Sequence, residues 1–345
     1  LVVDDSAVNR TRITSILETS GRALVVGKAC DGQEAIKLVQ ELQPDVITLD
    51  LEMPTMDGFT FLRILRSTRP TPVIVVSSDS RAHSVFQALE LGALDFVAKP
   101  MRVGVADLAQ VAEDLLAKVL NAAAVGARKK GDMEVPPERE TTQVRRATIR
   151  CVAVASSTGG PPAIQMLLEA FSQPPPFAVI VAQHMPPRFT EAFAERLSRR
   201  VALPVSEVKQ AERILPGRAY ICPGGLVTAL KLVGGEVVAR VSPAGPDRMA
   251  PSGDVLLSSV AEVFGAEAAC AVLTGMGSDG AVGAALVERR GGRVLVEAPS
   301  TAVVPGMPQA TLDLCVTARQ MPLESICRYL VHAAAAIGAQ SPFSR

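Results

Sequence analysis

The sequence predicts an α/β protein of two domains, each a mainly parallel sheet with helices on both faces. Strand-like and helix-like runs alternate from the first residue to position 124, and again from Thr148. Alternation of that kind builds parallel sheets through βαβ crossovers. Between the two stretches, apolar periodicity disappears over residues 125–146, where Arg128, Lys129, Lys130, Pro136, Pro137, Arg145 and Arg146 mark a linker. The length, 345 residues, suits about two domains, each with its own core.

In the first domain, strands are expected at 1–3, 23–28, 46–49, 73–76 and 96–98. Helices follow at 4–20, 33–42, 58–66, 82–91 and 105–124. In the second, strand candidates lie at 151–155, 178–182, 219–221, 237–241, 269–273 and 293–296. Helices are expected at 162–171 and 280–289, with a closing helix at 323–337. The domains are therefore set at 1–122 and 148–345, with 123–147 between them.

Hydrophobic residues make up 48% of the chain, aromatics only 3%, and there is no Trp. The cores must be built from Ala, Val, Leu and Ile. Lys plus Arg equals Asp plus Glu at 35 each, a balance that argues against a nucleic-acid-binding face. The basic residues of the linker read as solvated. Cys30, Cys151, Cys222, Cys270, Cys315 and Cys327 are widely spaced, with no Cys-x-x-Cys. They read as reduced, buried thiols of a cytoplasmic protein rather than a disulfide framework or zinc site. No apolar run approaches the roughly 18 residues that span a membrane, and no signal peptide is visible. Direct membrane insertion is not expected. The chain opens without Met inside an apolar run, so the first strand is expected to extend beyond Leu1.

Ligands of open parallel sheets bind at the carboxyl ends of the strands. Asp4 and Asp5 follow the first strand, Asp50 the third, Ser77 the fourth and Lys99 the fifth. Carboxylates converging on one rim repel unless a cation shares the site, and hard oxygen ligands favour Mg²⁺. One carboxylate can then attack a phosphoryl group, Lys99 neutralising the product and Ser77 bonding a phosphate oxygen. Any one of these residues alone could be an ordinary helix cap. All of them at the right strand ends is a much narrower coincidence.

Residues 1–6 (LVVDDS), 50–58 (DLEMPTMDG), Val76–Ser77 and Lys99–Pro100 resemble the receiver domain of two-component response regulators. The resemblance covers residues 1 to about 122. It implies a flavodoxin-like (βα)5 fold, with Asp50 phosphorylated by a histidine kinase. Asp4, Asp5, Asp50 and the backbone carbonyl of Glu52 would hold Mg²⁺. Ser77 and Phe96 would form the switch pair, with Lys99 beside them.

In the second domain, Ser156, Ser157 and Thr158 follow a strand and precede Gly159, Gly160 and a helix. A serine on such a turn is exposed in the positive field of a helix start. His184 follows the next strand. The other histidines, His83 and His332, lie in the first domain and the terminal helix, which leaves His184 as the candidate base. Asp279 follows a third strand in residues 274–280 (TGMGSDG). The order Ser, His, Asp matches none of the common hydrolases, but a triad is defined by geometry and roles. Backbone N–H groups near Met276 or Thr158 could bind an oxyanion. Two other readings stay open on the residues alone. Ser-Thr-Gly-Gly turns also bind phosphate, and Gly275, Gly277 and Gly280 formally match G-x-G-x-x-G with Glu297 ending the next strand. The latter is the pattern of a dinucleotide site, although Asp279 would put negative charge where a pyrophosphate sits.

Residues 157–160 (STGG), 183–186 (QHMP), 215–217 (LPG), 220–224 (YICPG), 274–280 and 306–308 (GMP) resemble the catalytic domain of the chemotaxis protein-glutamate methylesterase. That resemblance covers about residues 150 to 338. It selects Ser157 as nucleophile, with His184 and Asp279 completing the triad. It implies hydrolysis of γ-glutamyl methyl esters on methyl-accepting chemoreceptors and deamidation of receptor glutamines, with no metal needed for the ester chemistry. Gly225 and Val227 stand where the family commonly has Asp and His, and Gly253 where it has an apolar residue, which bears on substrate fit. A receiver-controlled scaffold and a nucleotide-dependent oxidoreductase are the competing function classes. The linked domains further suggest that the unphosphorylated receiver covers the triad and that phosphorylation uncovers it, which needs a differential of about 5 kcal/mol.

Overall fold

The computed structural model describes residues 1–78, 82–99, 105–128, 148–245 and 249–338. The chain divides into two compact units, Leu1–Met133 and Glu134–Arg345.

The first unit has strands β1 (Val2–Val3), β2 (Lys28–Ala29), β3 (Ile47–Leu49), β4 (Val73–Ser78) and β5 (Asp95–Lys99), all parallel in the order β2-β1-β3-β4-β5. Helices α1 (Ala7–Thr19), α2 (Gly32–Leu42), α3 (Gly58–Thr68), α4 (Ala82–Glu90) and α5 (Val105–Arg128) connect them. Ser6, Asp31 and Asp57 cap the first three helices, each side chain accepting the N–H three residues on. These caps let a helix start soon after the preceding strand or loop. Val2, Ile74, Val76 and Val97 of the sheet bury against Ile13 and Leu17 of α1 and Leu115 and Val119 of α5.

The strand expected at 23–28 reduces to Lys28–Ala29, because β2 is an edge strand with β1 as its single neighbour. Leu24 and Val26 are apolar but exposed. Helix α5 runs past 124 to Arg128. The linker residues Lys129, Lys130, Pro136, Pro137, Arg145 and Arg146 lie outside the described residues.

The second unit contains β6 (Cys151–Ser156), β7 (Ala178–Gln183), β8 (Val205–Glu207), β9 (Ala219–Ile221), β10 (Leu226–Val233), β11 (Glu236–Pro243), β12 (Ala268–Val272), β13 (Arg293–Glu297) and β14 (Arg319–Met321). Seven of these form one parallel sheet in the order β14-β13-β12-β6-β7-β9-β8. Its helices are α6 (Gly160–Glu169), α7 (Phe189–Ser198), α8 (Gly253–Phe264), α9 (Ala281–Arg289), α10 (Gly306–Leu314) and α11 (Leu323–Gly338). Strands β6, β7, β12 and β13 are buried along their whole length, which explains their continuous apolar runs. From β6 the chain moves outward through β7 to β8 and β9, then returns to β12 on the other side of β6. That reversal is the switch point where crevices open in such sheets.

Strand 237–241 is not part of this sheet. It belongs to β11, which pairs antiparallel with β10 through Gly234 and Gly235, both at positive φ. Two such residues make the tight turn that suits a hairpin. Among the described residues, no helix is long and apolar enough to cross a membrane. Five cysteines are buried as expected, but Cys30 is exposed, since it lies just past the edge strand β2.

Candidate functional site

The structure gathers the acidic residues of the first unit. Asp4, Asp5 and Asp50 can each offer an oxygen within 4.8 Å of the others. Lys99, at the end of β5, donates from Nζ to Asp4 Oδ2 at 2.9 Å and to Asp50 Oδ2 at 2.5 Å. Asp50 Oδ1 accepts the Leu51 N–H at 2.7 Å and a long bond from the Glu52 N–H at 3.4 Å. A Cβ on Gly58 would stand 2.6 Å from the Asp50 carbonyl oxygen, so glycine lets α3 begin directly behind Asp50. Phe96 is buried, edge-on to Phe86 at 6.5 Å. The Ser77 hydroxyl is buried and has no hydrogen-bond partner among the described residues. Buried hydroxyls are nearly always satisfied, so this one suits an oxygen-rich group entering the pocket. Hard oxygen donors beside a lysine and an unmatched hydroxyl fit Mg²⁺ with a phosphoryl group.

In the second unit, register pairs Ser156 of β6 with Gln183 of β7. Ser157 and His184 therefore leave adjacent strands side by side, and the His184 N–H donates to Ser156 O at 3.0 Å. The His184 Nε2 lies 2.7 Å from Asp279 Oδ2, so the structure brings the candidate base and its carboxylate together. Ser157 is tied to the loop after β12 by its N–H, which donates to Thr274 O at 3.0 Å. The turn carrying it depends on Gly159 at φ +79°, where a Cβ would meet Val303 at 2.8 Å. The oxyanion candidates Thr158 and Met276 sit on the loops after β6 and β12, which Thr274 joins by donating from Oγ1 to Thr158 O at 2.8 Å.

Asp279 is held by a group of residues that sequence reasoning missed. Its Oδ1 accepts from Ser252 Oγ at 3.1 Å and the Asp254 N–H at 3.0 Å, and its Oδ2 accepts the Gly253 N–H at 2.6 Å. These donors are the N-terminus of α8, where a carboxylate is stabilised by unpaired amides and the helix dipole. The arrangement is reciprocal. Asp254 Oδ1 accepts the N–H groups of Gly280 and Gly283, both at 2.9 Å, at the start of α9. Burial pushes the Asp279 pKa up, but the hydrogen bond and charge of His184 and the α8 amides outweigh it and hold the carboxyl below its usual range. Burial and the neighbouring Asp279 charge raise Asp254 instead, against its amide bonds. The signal for α8 was present, since Ser252 followed by Asp254 is an N-terminal signature.

The dinucleotide reading fails on the same geometry. The start of α9, where a pyrophosphate would sit, is filled by the Asp254 carboxylate. Glu297, the expected ribose partner, is buried and accepts the Thr274 N–H at 2.7 Å. Burial pushes its pKa up to about 6, against bonds from Thr274 and Thr301. Glu297 thus buttresses the loop that touches Ser157.

Of the positions that depart from the family pattern, Val227 is buried in β10. Gly225 adopts φ +74°, and a Cβ there would approach Pro187 at 3.0 Å, close to the loop carrying His184. Gly253 bears on the triad itself. Its N–H bonds Asp279, and a Cβ would lie 2.8 Å from Ala155 Cβ.

Residues 152–330 match the CheB methylesterase family model, and residues 1–112 match the response regulator receiver domain. The chain is 44% identical to protein-glutamate methylesterase/protein-glutamine glutaminase 1 of Myxococcus xanthus (strain DK1622), over 94% of each chain. It is 39% identical to protein-glutamate methylesterase/protein-glutamine glutaminase 2 of Pseudomonas aeruginosa, over 98% of this chain and 97% of the relative. Among solved structures, the Thermotoga maritima CheB methylesterase catalytic domain is 33% identical with a TM-score of 0.51, covering 54% of this chain and 99% of that one.

Proposed function

The chain belongs to the CheB methylesterase family, with a response regulator receiver domain ahead of the catalytic one, and from that premise we propose that it hydrolyses glutamate methyl esters on methyl-accepting chemoreceptors. Methanol is released, and receptor glutamines are deamidated by the same site. The observation that supports this most is His184 held at 2.7 Å from Asp279, beside the turn bearing Ser157.

Because Nε2 faces Asp279, Nδ1 is the ring nitrogen left to serve Ser157. Ser157 Oγ attacks the γ-carbonyl carbon while its proton passes to Nδ1, and the carbonyl electron pair moves onto oxygen. The N–H groups of Thr158 and Met276 receive that oxyanion, at about 3 kcal/mol per donor. Asp279 stabilises the imidazolium. Collapse breaks the bond to the methoxy oxygen, which takes the proton from His184 and leaves as methanol. Water then attacks the acyl-serine, giving one proton to His184, which returns it to Ser157 as the glutamate carboxyl is freed. With glutamine the leaving group is ammonia.

Asp50 accepts the phosphoryl group from a histidine kinase, and Asp4, Asp5, Asp50 and the Glu52 carbonyl would hold the Mg²⁺. When bound, Mg²⁺ offsets the repulsion between the carboxylates and the incoming phosphoryl oxygens. Lys99 shifts its bond from Asp50 to the phosphoryl oxygens, Ser77 donates to one of them, and Phe96 responds as the switch aromatic. The resulting change of state raises the rate at Ser157. A scaffold would not require a half-buried carboxylate clamped against a histidine, so that reading is set aside. The direct test is methanol release from methylated receptor by Ser157→Ala in the full chain. The rate is expected to fall by about 10⁴-fold or more, and a rate within about tenfold of wild type would overturn the assignment.

A further inference from the structure

Ser156 and Gln183 are paired at the ends of β6 and β7, and neither takes part in the steps above. Both are buried. Ser156 Oγ donates to Gln183 Oε1 at 2.7 Å. Gln183 Nε2 donates to Ser157 O at 2.9 Å and to His184 O at 3.0 Å. The two carbonyls belong to the nucleophile and to the base. A Cβ on Gly160 would stand 1.9 Å from Gln183 Oε1, so this amide fits only because α6 begins with glycine. A carboxylate could not donate to either carbonyl, and an apolar side chain would leave both half-buried residues without this bond.

We propose that Gln183 is a positioning residue, one amide that ties the backbones of Ser157 and His184 together and sets their separation before substrate arrives. Small displacements of reacting groups cost rate steeply. The inference rests on Ser157 and His184 being the catalytic pair.

The test uses the full chain, methylated receptor and methanol release. Gln183→Glu is expected to lower kcat by about 10- to 100-fold with KM changed by less than about twofold. Ser156→Ala, which keeps both carbonyl bonds but loosens Oε1, is expected to lower kcat by about threefold. In a His184→Ala background, Gln183→Glu should change the residual rate by less than about twofold, because no serine–histidine distance is left to disturb. A general folding role would instead lower the residual rate by the same factor in both backgrounds, and that result would overturn the proposal. So would a wild-type kcat in Gln183→Glu. Should Gln183→Glu not fold, Ser156→Ala decides, and a wild-type kcat there overturns the proposal. If His184→Ala is fully active, the catalytic assignment fails and takes this inference with it. If His184→Ala is inactive while Gln183→Glu behaves as wild type, the inference alone fails.

Discussion

Asp50 and Asp279 both lie in loops at the carboxyl side of parallel sheets, and their surroundings differ in kind. Asp279 is fixed by backbone amides of Gly253 and Asp254, the cap hydroxyl of Ser252 and the ring of His184. Those amides belong to α8, which is itself tied to α9 through Asp254. Asp50 takes amides only from its own loop, those of Leu51 and Glu52, and it shares a side-chain partner, the Lys99 ammonium, with Asp4. Ser77 nearby has a buried hydroxyl without a partner among the described residues. A carboxylate that does the same work at every turnover gains from donors that cannot move. A carboxylate that must be modified needs neighbours that can change partners.

The sharpest way to break this contrast is Asp279→Asn. The amide would set an N–H₂ against an N–H donor of α8 or against His184. The expected result is a kcat lower by about 10³- to 10⁴-fold and a stability lower by about 1–3 kcal/mol, measured by methanol release and urea unfolding. Its lowered pKa has the matching sign. The stability it contributes is present above the ordinary carboxylate value and lost as pH falls through the folded value.

Glu297 has the opposite sign. Its folded pKa of about 6 exceeds the ordinary 4.5, so its contribution is most favourable below 4.5 and is lost as pH rises through about 6. At pH 8 the buried charge costs about 2 kcal/mol. Glu297→Gln keeps an acceptor for Thr274 and should be more stable than wild type by about 1–2 kcal/mol at pH 8, with no such gain at pH 4. Urea unfolding at the two pH values checks this, and equal differences at both would refute it.

The smallest effects sharpen the contrast in a matched pair. Ser252→Ala removes an N-cap and a partner of Asp279, and should destabilise the chain by about 1 kcal/mol. Ser77→Ala removes a hydroxyl that has no partner among the described residues, and should be neutral or slightly stabilising, within about 0.5 kcal/mol, in the unphosphorylated protein. Thermal unfolding of the two variants in parallel would show it. Equal losses would mean that Ser77 is as firmly held as Ser252.

Polar residues that directly follow apolar runs could be read from the sequence, because a strand end is a local pattern. Asp4, Asp50, Lys99, Ser157 and His184 were found that way. Asp254 and Gln183 were not, because their partners lie 25 or 26 residues away, at Asp279, Gly280 and Ser157, and local patterns do not say which helix start meets which loop. Strands β8 (VSE) and β14 (RQM) are short and largely polar, with no apolar run to mark them. The β10–β11 hairpin was legible through Gly234-Gly235 between two apolar runs. Taking 237–241 as another parallel strand missed it, because β-α alternation was extended across a stretch that had no helix.

Whether Asp50 governs Ser157 is decided by methanol release from methylated receptor by wild type and Asp50→Asn, with Mg²⁺, in the presence and absence of a small-molecule phosphodonor. Wild type should be stimulated by about 5- to 150-fold, and Asp50→Asn not at all. Equal stimulation of both proteins, or none in wild type that is shown to be phosphorylated, would contradict that control.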